Sequence, residues 1–178
     1  MSEKISFWLI PAAEHRSLLQ NLINQLASQY SAPRFTPHVT LCYGDFSTDT
    51  LAALLQQASQ TVKSFQLQVD RLLYTDQFTK TLFIQLHPSF TLSQIANTLK
   101  QGAIVPSNYQ LDPHLSLIYK TLEESEQQKL AAKIELPLTE IWFDQVWAIS
   151  TSDTVQNRED VESWQVLHTF GLSSELSD

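Results

Sequence analysis

One short pattern occurs in both halves of this chain, and it limits the possible folds more than any other feature. The sequence PHVTLCY begins at Pro37 and the sequence PHLSLIY begins at Pro113, with the same order of residue types. Each copy has the alternation of a half-buried strand, and proline is favoured at the first position of a strand because it lacks an amide hydrogen. The repeat predicts two similar lobes, each built around one copy.

The remaining apolar patterns predict an α+β fold. FQLQVD at 65–70 alternates as a half-buried strand does, and TLFIQL at 81–86 is placed to form a hairpin with it. Helical periodicities lie between the strands, but without strict β-α-β order. We therefore predict a bilobal molecule of two similar lobes, each an antiparallel sheet backed by helices. The active site is expected in the groove between the lobes.

Length and composition indicate an ordinary globular chain. With 178 residues and 43% hydrophobic residues it is long enough to bury a core. We expect a single domain over 1–178, with 171–178 as a frayed tail. The N-terminal apolar run is too short for a signal peptide, and no run approaches the ~20 apolar residues of a membrane helix. Cys42 is the one cysteine, which excludes an internal disulfide and favours a cytoplasmic location.

The repeated motif carries groups suited to phosphodiester cleavage. His38 and Thr40 lie two apart on a strand and so share a face, and the same holds for His114 and Ser116. An imidazole with an ordinary pKa of ~6.5 can be neutral in one copy and charged in the other near neutral pH. One ring can then take a proton from the attacking water while the other gives a proton to the leaving oxygen. The hydroxyls can donate to the phosphoryl oxygens, and the scheme requires no metal.

With these motifs the chain resembles the 2H phosphoesterase superfamily. The run PRFTPHVTL at 33–41 is similar to the cyclic phosphodiesterase branch, including its plant members. The resemblance implies a bilobal α+β fold and metal-independent catalysis without a cofactor. It implies opening of a small cyclic phosphate, such as ADP-ribose 1″,2″-cyclic phosphate or a nucleoside 2′,3′-cyclic phosphate.

The resemblance also implies roles for individual residues. It makes His38 and His114 catalytic, and we expect His114 to be the base and His38 the acid. It makes Thr40, Ser116 and Tyr119 phosphate-binding. Strict alternation, however, places Tyr119 on the face opposite to His114, so it reaches the site only if the strand twists or ends there.

Other side chains are candidates for lining the groove. Cys42 has the same parity as His38 and Thr40 and is expected near the site, without a nucleophilic role. Several aromatic side chains on strands can stack on a nucleobase, and we favour Phe83 and Trp8 as the base-stacking residues. The full set of these aromatic residues is Trp8, Tyr43, Phe83, Trp142 and Trp147.

The net charge limits the partners. At −8, and with its basic residues scattered, the chain is not expected to bind long nucleic acids. We expect a small nucleotide as substrate, no membrane partner and a monomer. Three alternatives remain: an RNA-end 2′–5′ phosphodiesterase or ligase-like enzyme, a non-catalytic nucleotide-binding module, and a metal hydrolase using both histidines with Asp45 or Asp112.

Overall fold

The structure is a computed structural model that describes residues 1–174. Its strands are β1 (Ser2–Pro11), β2 (Val39–Ser47), β3 (Phe65–Tyr74), β4 (Leu82–Leu86), β5 (Val105–Pro106), β6 (His114–Ile118), β7 (Glu140–Ser150) and β8 (Gln165–Gly171). Its helices are α1 (Ala13–Tyr30), α2 (Leu51–Ser59), α3 (Phe90–Gln101), α4 (Glu124–Lys133) and α5 (Arg158–Glu162). Short 3-10 turns precede α2 and β4, at Thr48–Thr50 and Phe78–Lys80.

The strand pairs join into a closed circuit. β1 pairs with β2 on one side and with β7 on the other. From β2 the circuit continues through β6, β4 and β3, and β3 pairs with β7. All of these pairings are antiparallel, and β8 extends the sheet beside β7. The two halves of the chain are therefore joined by hydrogen-bonded strands rather than by a linker.

The helices cover the outer faces of two sheet regions. One region contains β1, β2, β7 and β8, and α2 and α3 pack on it. The other contains β3, β4 and β6, and α1 and α4 pack on it. The predicted α+β class, with antiparallel sheet backed by helices, is confirmed. Two helices pack on the region that does not contain the strand before them: α1 follows β1 in sequence but packs on β6, and α3 follows β4 but packs on β2.

The core explains why these segments form strands. Phe7 and Leu9 of β1 and Leu115 of β6 are fully buried, as the apolar positions of an inner sheet should be. In β4 the predicted Leu and Ile face is buried beneath the helices, but Phe83 on the other face is also only 2% exposed. This strand is therefore covered on both sides, which the alternation alone does not reveal.

The C-terminal segment differs from the prediction of a tail over 171–178. Leu172 N donates to Asp144 O at 2.7 Å, and Ser64 N donates to Ser173 O at 2.8 Å. Residues 171–173 are thus fastened to the sheet, because their backbone groups pair with β7 and the start of β3. Residues 175–178 lie outside the described part of the chain. No helix within residues 1–174 has the length and apolar character needed to cross a bilayer.

Candidate active site

The two copies of the motif meet where β2 and β6 pair. Val39, directly after the first histidine, pairs with Leu115, directly after the second. Continued by one residue in each direction, this antiparallel register places His38 opposite Ser116 and Thr40 opposite His114. All four of these side chains line one cavity of about 460 Å³. The structure therefore brings together the four residues that the repeat singled out.

Both imidazoles are held in the same way. His38 Nδ1 lies 2.7 Å from the carbonyl oxygen of Thr36, and His114 Nδ1 lies 2.7 Å from the carbonyl oxygen of Asp112. A carbonyl oxygen only accepts, so Nδ1 must carry the hydrogen in each ring. In the neutral ring Nε2 is then left as a proton acceptor. The proline between each histidine and its carbonyl partner restrains this short turn.

His38 lies in an aromatic environment. Its ring stacks on Trp8 with centroids 3.7 Å apart and planes 6° apart, and Phe35 and Trp164 approach it edge to face. The residue is only 6% exposed. Burial is the main reason that the pKa of His38 is lowered to about 4; the Thr36 carbonyl opposes this effect and nearby His114 adds to it. His38 is therefore neutral at pH 7 in the free protein.

His114 lies beside a network of charged and polar groups. The Asp112 carboxylate oxygen Oδ2 is 3.8 Å from His114 Nδ1. Lys80 Nζ donates to Oδ2 at 2.8 Å, and Gln85 Nε2 donates to Oδ1 at 2.9 Å. Burial lowers the pKa of His114, and Lys80 lowers it further, while Asp112 raises it through its backbone carbonyl and its charge. The two imidazoles thus differ in surroundings although their backbone contacts match.

The two hydroxyls also differ. Ser116 Oγ donates to the carbonyl oxygen of Thr79 at 2.6 Å, so its proton already has an acceptor. The Thr40 hydroxyl has no hydrogen-bond partner among residues 1–174. Burial raises the pKa of Tyr119 above its ordinary value, and the nearby Ser116 hydroxyl opposes this rise. Tyr119 therefore enters the cavity as a neutral phenol, able to donate.

A β-bulge in each motif explains how Tyr119 reaches the cavity. In β6, Ser116 pairs with Phe83 and Ile118 pairs with the preceding residue of β4, so that Leu117 has no partner. An extra residue reverses the alternation that follows it. The side chain of Tyr119, which simple alternation places on the opposite face, therefore turns toward the face of His114 as the strand ends.

The first motif has the same irregularity at the equivalent leucine. Trp8 of β1 pairs with Thr40, and Phe7 pairs with Cys42, which leaves Leu41 unpaired. The prediction that Cys42 lines the site is therefore wrong: Cys42 is 3% exposed and packs in the core. Burial raises the pKa of its thiol to about 12. Tyr43 takes its place on the face of the cavity.

The structure gives both favoured base-stacking residues other contacts. Trp8 lines the cavity, but it is 4% exposed and one ring face is covered by His38. Phe83 lies behind His114, whose ring it meets at 72°, and Lys80 Nζ sits 4.5 Å above the Phe83 ring centroid. Neither side chain presents an open ring face, because each packs against a histidine of the site.

Several residues of the cavity wall were missed by the sequence analysis. They come from segments outside the motifs: Lys80 from the turn before β4, Tyr109 from the loop before β6, Trp164 before β8, and residues 151–156 after β7. Lys80 and Asp153 are the charged residues among those lining it, apart from the histidines. No local pattern marks these positions, since each reaches the cavity only through the tertiary fold.

The two aspartates considered as metal ligands have other partners. Asp45 is paired with Lys4 at 2.9 Å, and Asp112 is held by Lys80 and Gln85. Within residues 1–174, no group of three or more His, Cys, Asp or Glu side chains is arranged to hold a metal ion. The hydrogen-bond partners of both carboxylates are thus protein side chains.

Known proteins resemble this chain in sequence and in fold. A cyclic phosphodiesterase from Arabidopsis thaliana is 24% identical over 172 residues, which is 94% of each chain. The fold matches that of Escherichia coli LigT, solved in complex with 3′-AMP, with a TM-score of 0.62 and 17% identity over 97% of this chain and 99% of the other. A Thermus thermophilus protein gives a TM-score of 0.63 and 14% identity with the same coverage.

The family model described as "Cyclic phosphodiesterase-like protein" matches residues 1–172. That match spans both histidine motifs and every strand and helix of the structure. It confirms the resemblance found from the motifs and the enzyme class that the motifs implied. The chain belongs to the cyclic phosphodiesterase-like family of the 2H phosphoesterase superfamily.

Proposed function

We propose that the protein hydrolyses small nucleotide-derived cyclic phosphates by acid–base catalysis with two imidazoles. One observation carries the proposal: His38 and His114 line one cavity, and matching 2.7 Å contacts at Nδ1 leave each Nε2 available. The name of the Arabidopsis relative and the 3′-AMP in the LigT structure support a substrate of this type. Candidate substrates are ADP-ribose 1″,2″-cyclic phosphate and nucleoside 2′,3′-cyclic phosphates.

In the proposed reaction His114 is the base. Its Nε2 takes a proton from a water molecule while the water oxygen attacks phosphorus. The ring then becomes an imidazolium, which the Asp112 carboxylate 3.8 Å from Nδ1 stabilises. This arrangement favours His114 over His38, since the contact at His38 Nδ1 is an uncharged carbonyl.

His38 is the proposed acid. As the bond between phosphorus and the ribose oxygen breaks, protonated Nε2 of His38 gives its proton to the departing oxygen. Burial that lowers the pKa of His38 to about 4 makes its imidazolium a strong proton donor. A bound phosphate anion raises that pKa, because an opposite charge favours the charged ring. Thr40 and Tyr119 donate to the non-bridging oxygens as negative charge develops there. Ser116 joins them when its hydroxyl turns from the Thr79 carbonyl to the phosphoryl group.

The volume of the cavity and the net charge of the chain both favour a small substrate. A cavity of about 460 Å³ is in the range of small-molecule sites. The net charge of −8 opposes sequence-independent binding of long RNA. We therefore propose a small-molecule partner for a monomeric protein in the cytoplasm, and prefer this reading to an RNA-end enzyme.

The decisive experiment is a screen of cyclic phosphates in excess chelator, with the products resolved as 2′- or 3′-monophosphates. We expect turnover of a cyclic nucleotide to persist in chelator, and His38→Ala and His114→Ala to reduce kcat by roughly 10²–10⁴. Full activity in the double variant would refute the proposal. Loss of activity on chelation would select a metal hydrolase instead.

Two further outcomes distinguish the remaining alternatives. Faster cleavage of an oligonucleotide than of a cyclic mononucleotide, with a steep dependence on salt, would select the RNA-end enzyme. Binding of nucleotide without turnover would select a non-catalytic module. The rates on both substrates at low and high salt are therefore measured in the same preparation.

A further inference from the structure

Tyr43 is an exposed aromatic residue in the wall of the active-site cavity. It retains 42% of its accessible surface, whereas Trp8 and Tyr119, which line the same cavity, are each 4% exposed. It occupies the same place in the first motif as Tyr119 does in the second. Because the Leu41 bulge turns it to the face of Thr40, its position follows from the backbone of the motif.

Tyr109 supports Tyr43 from one side. The two ring centroids are 5.4 Å apart with planes at 47°. The Tyr109 hydroxyl donates to the carbonyl oxygen of Thr40 at 3.3 Å, and Lys100 Nζ donates to the Tyr109 carbonyl at 3.4 Å. Tyr109 is thereby tied to the strand that carries Tyr43, and it restricts the positions open to that ring.

The other aromatic side chains of the cavity already have ring partners. His38 stacks on Trp8, and Phe35 stacks on Tyr119 with centroids 3.9 Å apart. Trp164 meets Trp8, His38 and Tyr119 at near right angles. Trp8 and Tyr119 are each 4% exposed, so a flat ligand group would reach their rings only by displacing one of these contacts, whereas Tyr43, with Tyr109 against it, remains 42% exposed.

The spacing along β2 suits a nucleoside. Thr40 and Tyr43 pair with Trp8 and Ser6, which lie two residues apart on β1, so Tyr43 lies roughly 7 Å along the strand from Thr40. A ribose joins a phosphate at one side to a base at the other, and so can extend from Thr40 toward Tyr43. Stacking on an aromatic ring accepts any nucleobase, because every base has a π-face.

We propose that Tyr43, supported by Tyr109, is the platform on which the nucleobase of the substrate stacks. This inference rests on the proposed function and narrows its substrate class. The enzyme then prefers cyclic phosphates that carry a base, such as nucleoside 2′,3′-cyclic phosphates, over cyclic phosphates of a sugar or polyol alone.

The test compares two substrates in three variants. The substrates are adenosine 2′,3′-cyclic phosphate and glycerol 1,2-cyclic phosphate, which has the same five-membered ring but no base. In Tyr43→Ala the ratio of kcat/KM for the first substrate to that for the second should fall about 5- to 150-fold, the range of single stacking contacts. Tyr43→Phe keeps the aromatic ring, so its ratio should stay within about twofold of the wild-type ratio.

Phe90→Ala is the matched control, because Phe90 is 83% exposed and lies outside the cavity. It removes a surface ring and should leave the ratio unchanged. A Tyr43→Ala ratio equal to that of the wild type would overturn the inference, as would an equal fall in Tyr43→Phe. Thermal unfolding of each variant verifies that the protein is folded.

A second readout separates this inference from the proposed function. If the wild type hydrolyses neither of these substrates nor ADP-ribose 1″,2″-cyclic phosphate, the proposed function fails, and the platform is then tested by calorimetric binding of 3′-AMP and of inorganic phosphate. Tyr43→Ala should weaken the binding of 3′-AMP relative to that of phosphate by the same 5- to 150-fold factor. Equal weakening of both ligands, or wild-type protein that binds no 3′-AMP, would overturn the platform.

Discussion

The indole of Trp8 lies flat against the imidazole of His38, with ring centroids 3.7 Å apart and planes 6° apart. Trp8 is itself fixed, because its Nε1 donates to Ser6 Oγ at 2.9 Å. The stack excludes water from one face of His38 and holds the ring in one orientation. Trp8, which the sequence analysis favoured as a base-stacking residue, thus has one ring face covered by His38.

The Trp8 stack can be tested by titrating His38. In Trp8→Ala water gains access to the imidazole, so the pKa of His38 should rise from about 4 toward 6.5. In Trp8→Phe a ring remains and the pKa should stay low. The measurement is the NMR shift of the His38 ring against pH. A pKa that is equally low in Trp8→Ala would show that the stack does not control it.

Asp112 and Lys80 should shift the pH dependence of the rate in opposite directions. Asp112→Asn removes the negative charge beside His114 and leaves Lys80, so the pKa of the base falls and the acidic limb of kcat/KM moves to lower pH. Lys80→Met leaves Asp112 unopposed and should move that limb to higher pH. The profiles are measured on one cyclic nucleotide.

A purely structural role for this pair makes a different prediction. Loss of packing would lower kcat/KM in both variants without moving their acidic limbs in opposite directions. Shifts in the same direction would therefore contradict the assignment of His114 as the base. Gln85→Leu serves as a control that removes an uncharged partner of Asp112.

The two hydroxyls of the site should have unequal effects on stability. Ser116→Ala leaves the Thr79 carbonyl without its 2.6 Å donor, at a cost of about 1–3 kcal/mol in the free energy of unfolding. Thr40→Val conserves shape and breaks no hydrogen bond within residues 1–174, so its cost should be smaller. Thr40→Val should lower kcat by roughly 10²–10³, because it removes a donor to the phosphoryl oxygens. Ser116→Ala should lower kcat less, because the Ser116 hydroxyl reaches the phosphoryl group only after it leaves the Thr79 carbonyl. Denaturant unfolding and kinetics on the same samples measure both effects, and an unchanged kcat in either would remove that donor from the mechanism.

The free energy of unfolding should decrease as the pH falls from 6.5 toward 4, because His38 titrates differently in the folded and unfolded states. His38 has a pKa of about 4 in the folded protein and an ordinary value of 6.5 when unfolded. Between these values the unfolded state binds a proton that the folded state does not, so the contribution is complete above pH 6.5 and is lost toward pH 4. The loss should approach roughly 3 kcal/mol relative to His38→Gln, whose side chain does not titrate. Parallel pH curves for the two proteins, from denaturant unfolding, would contradict this expectation.

The sequence was sufficient for the parts of the site that lie within one strand. Alternation assigned His38 and Thr40 to one face, and it did the same for His114 and Ser116. Residues two positions apart on a strand share a face whichever strand pairs with it. The same rule was wrong for Cys42. Its error came from the bulge, since an extra residue is recognised only when the partner strand is known.

The missed groups depend on distances that no local pattern contains. Lys80 and Asp112 are 32 positions apart, yet their side chains form a 2.8 Å ion pair. Helical periodicity predicted helices between the strands but could not indicate that the helix after β1 packs on β6. Likewise Leu172 and Ser173 look like part of a polar tail in the sequence, but their backbone groups pair with β7 and with the segment directly before β3.

The closed circuit of strands has a consequence for how the enzyme admits its substrate. β1 pairs with both β2 and β7, and β3 pairs with both β4 and β7. The two sheet regions therefore cannot move apart as rigid bodies without breaking the hydrogen bonds between paired strands. The hydrogen-bonded strands therefore hold the two histidine motifs in a fixed relative position before a substrate enters the cavity. Adjustment to different substrates then falls to the surface segments at the rim, such as residues 151–156.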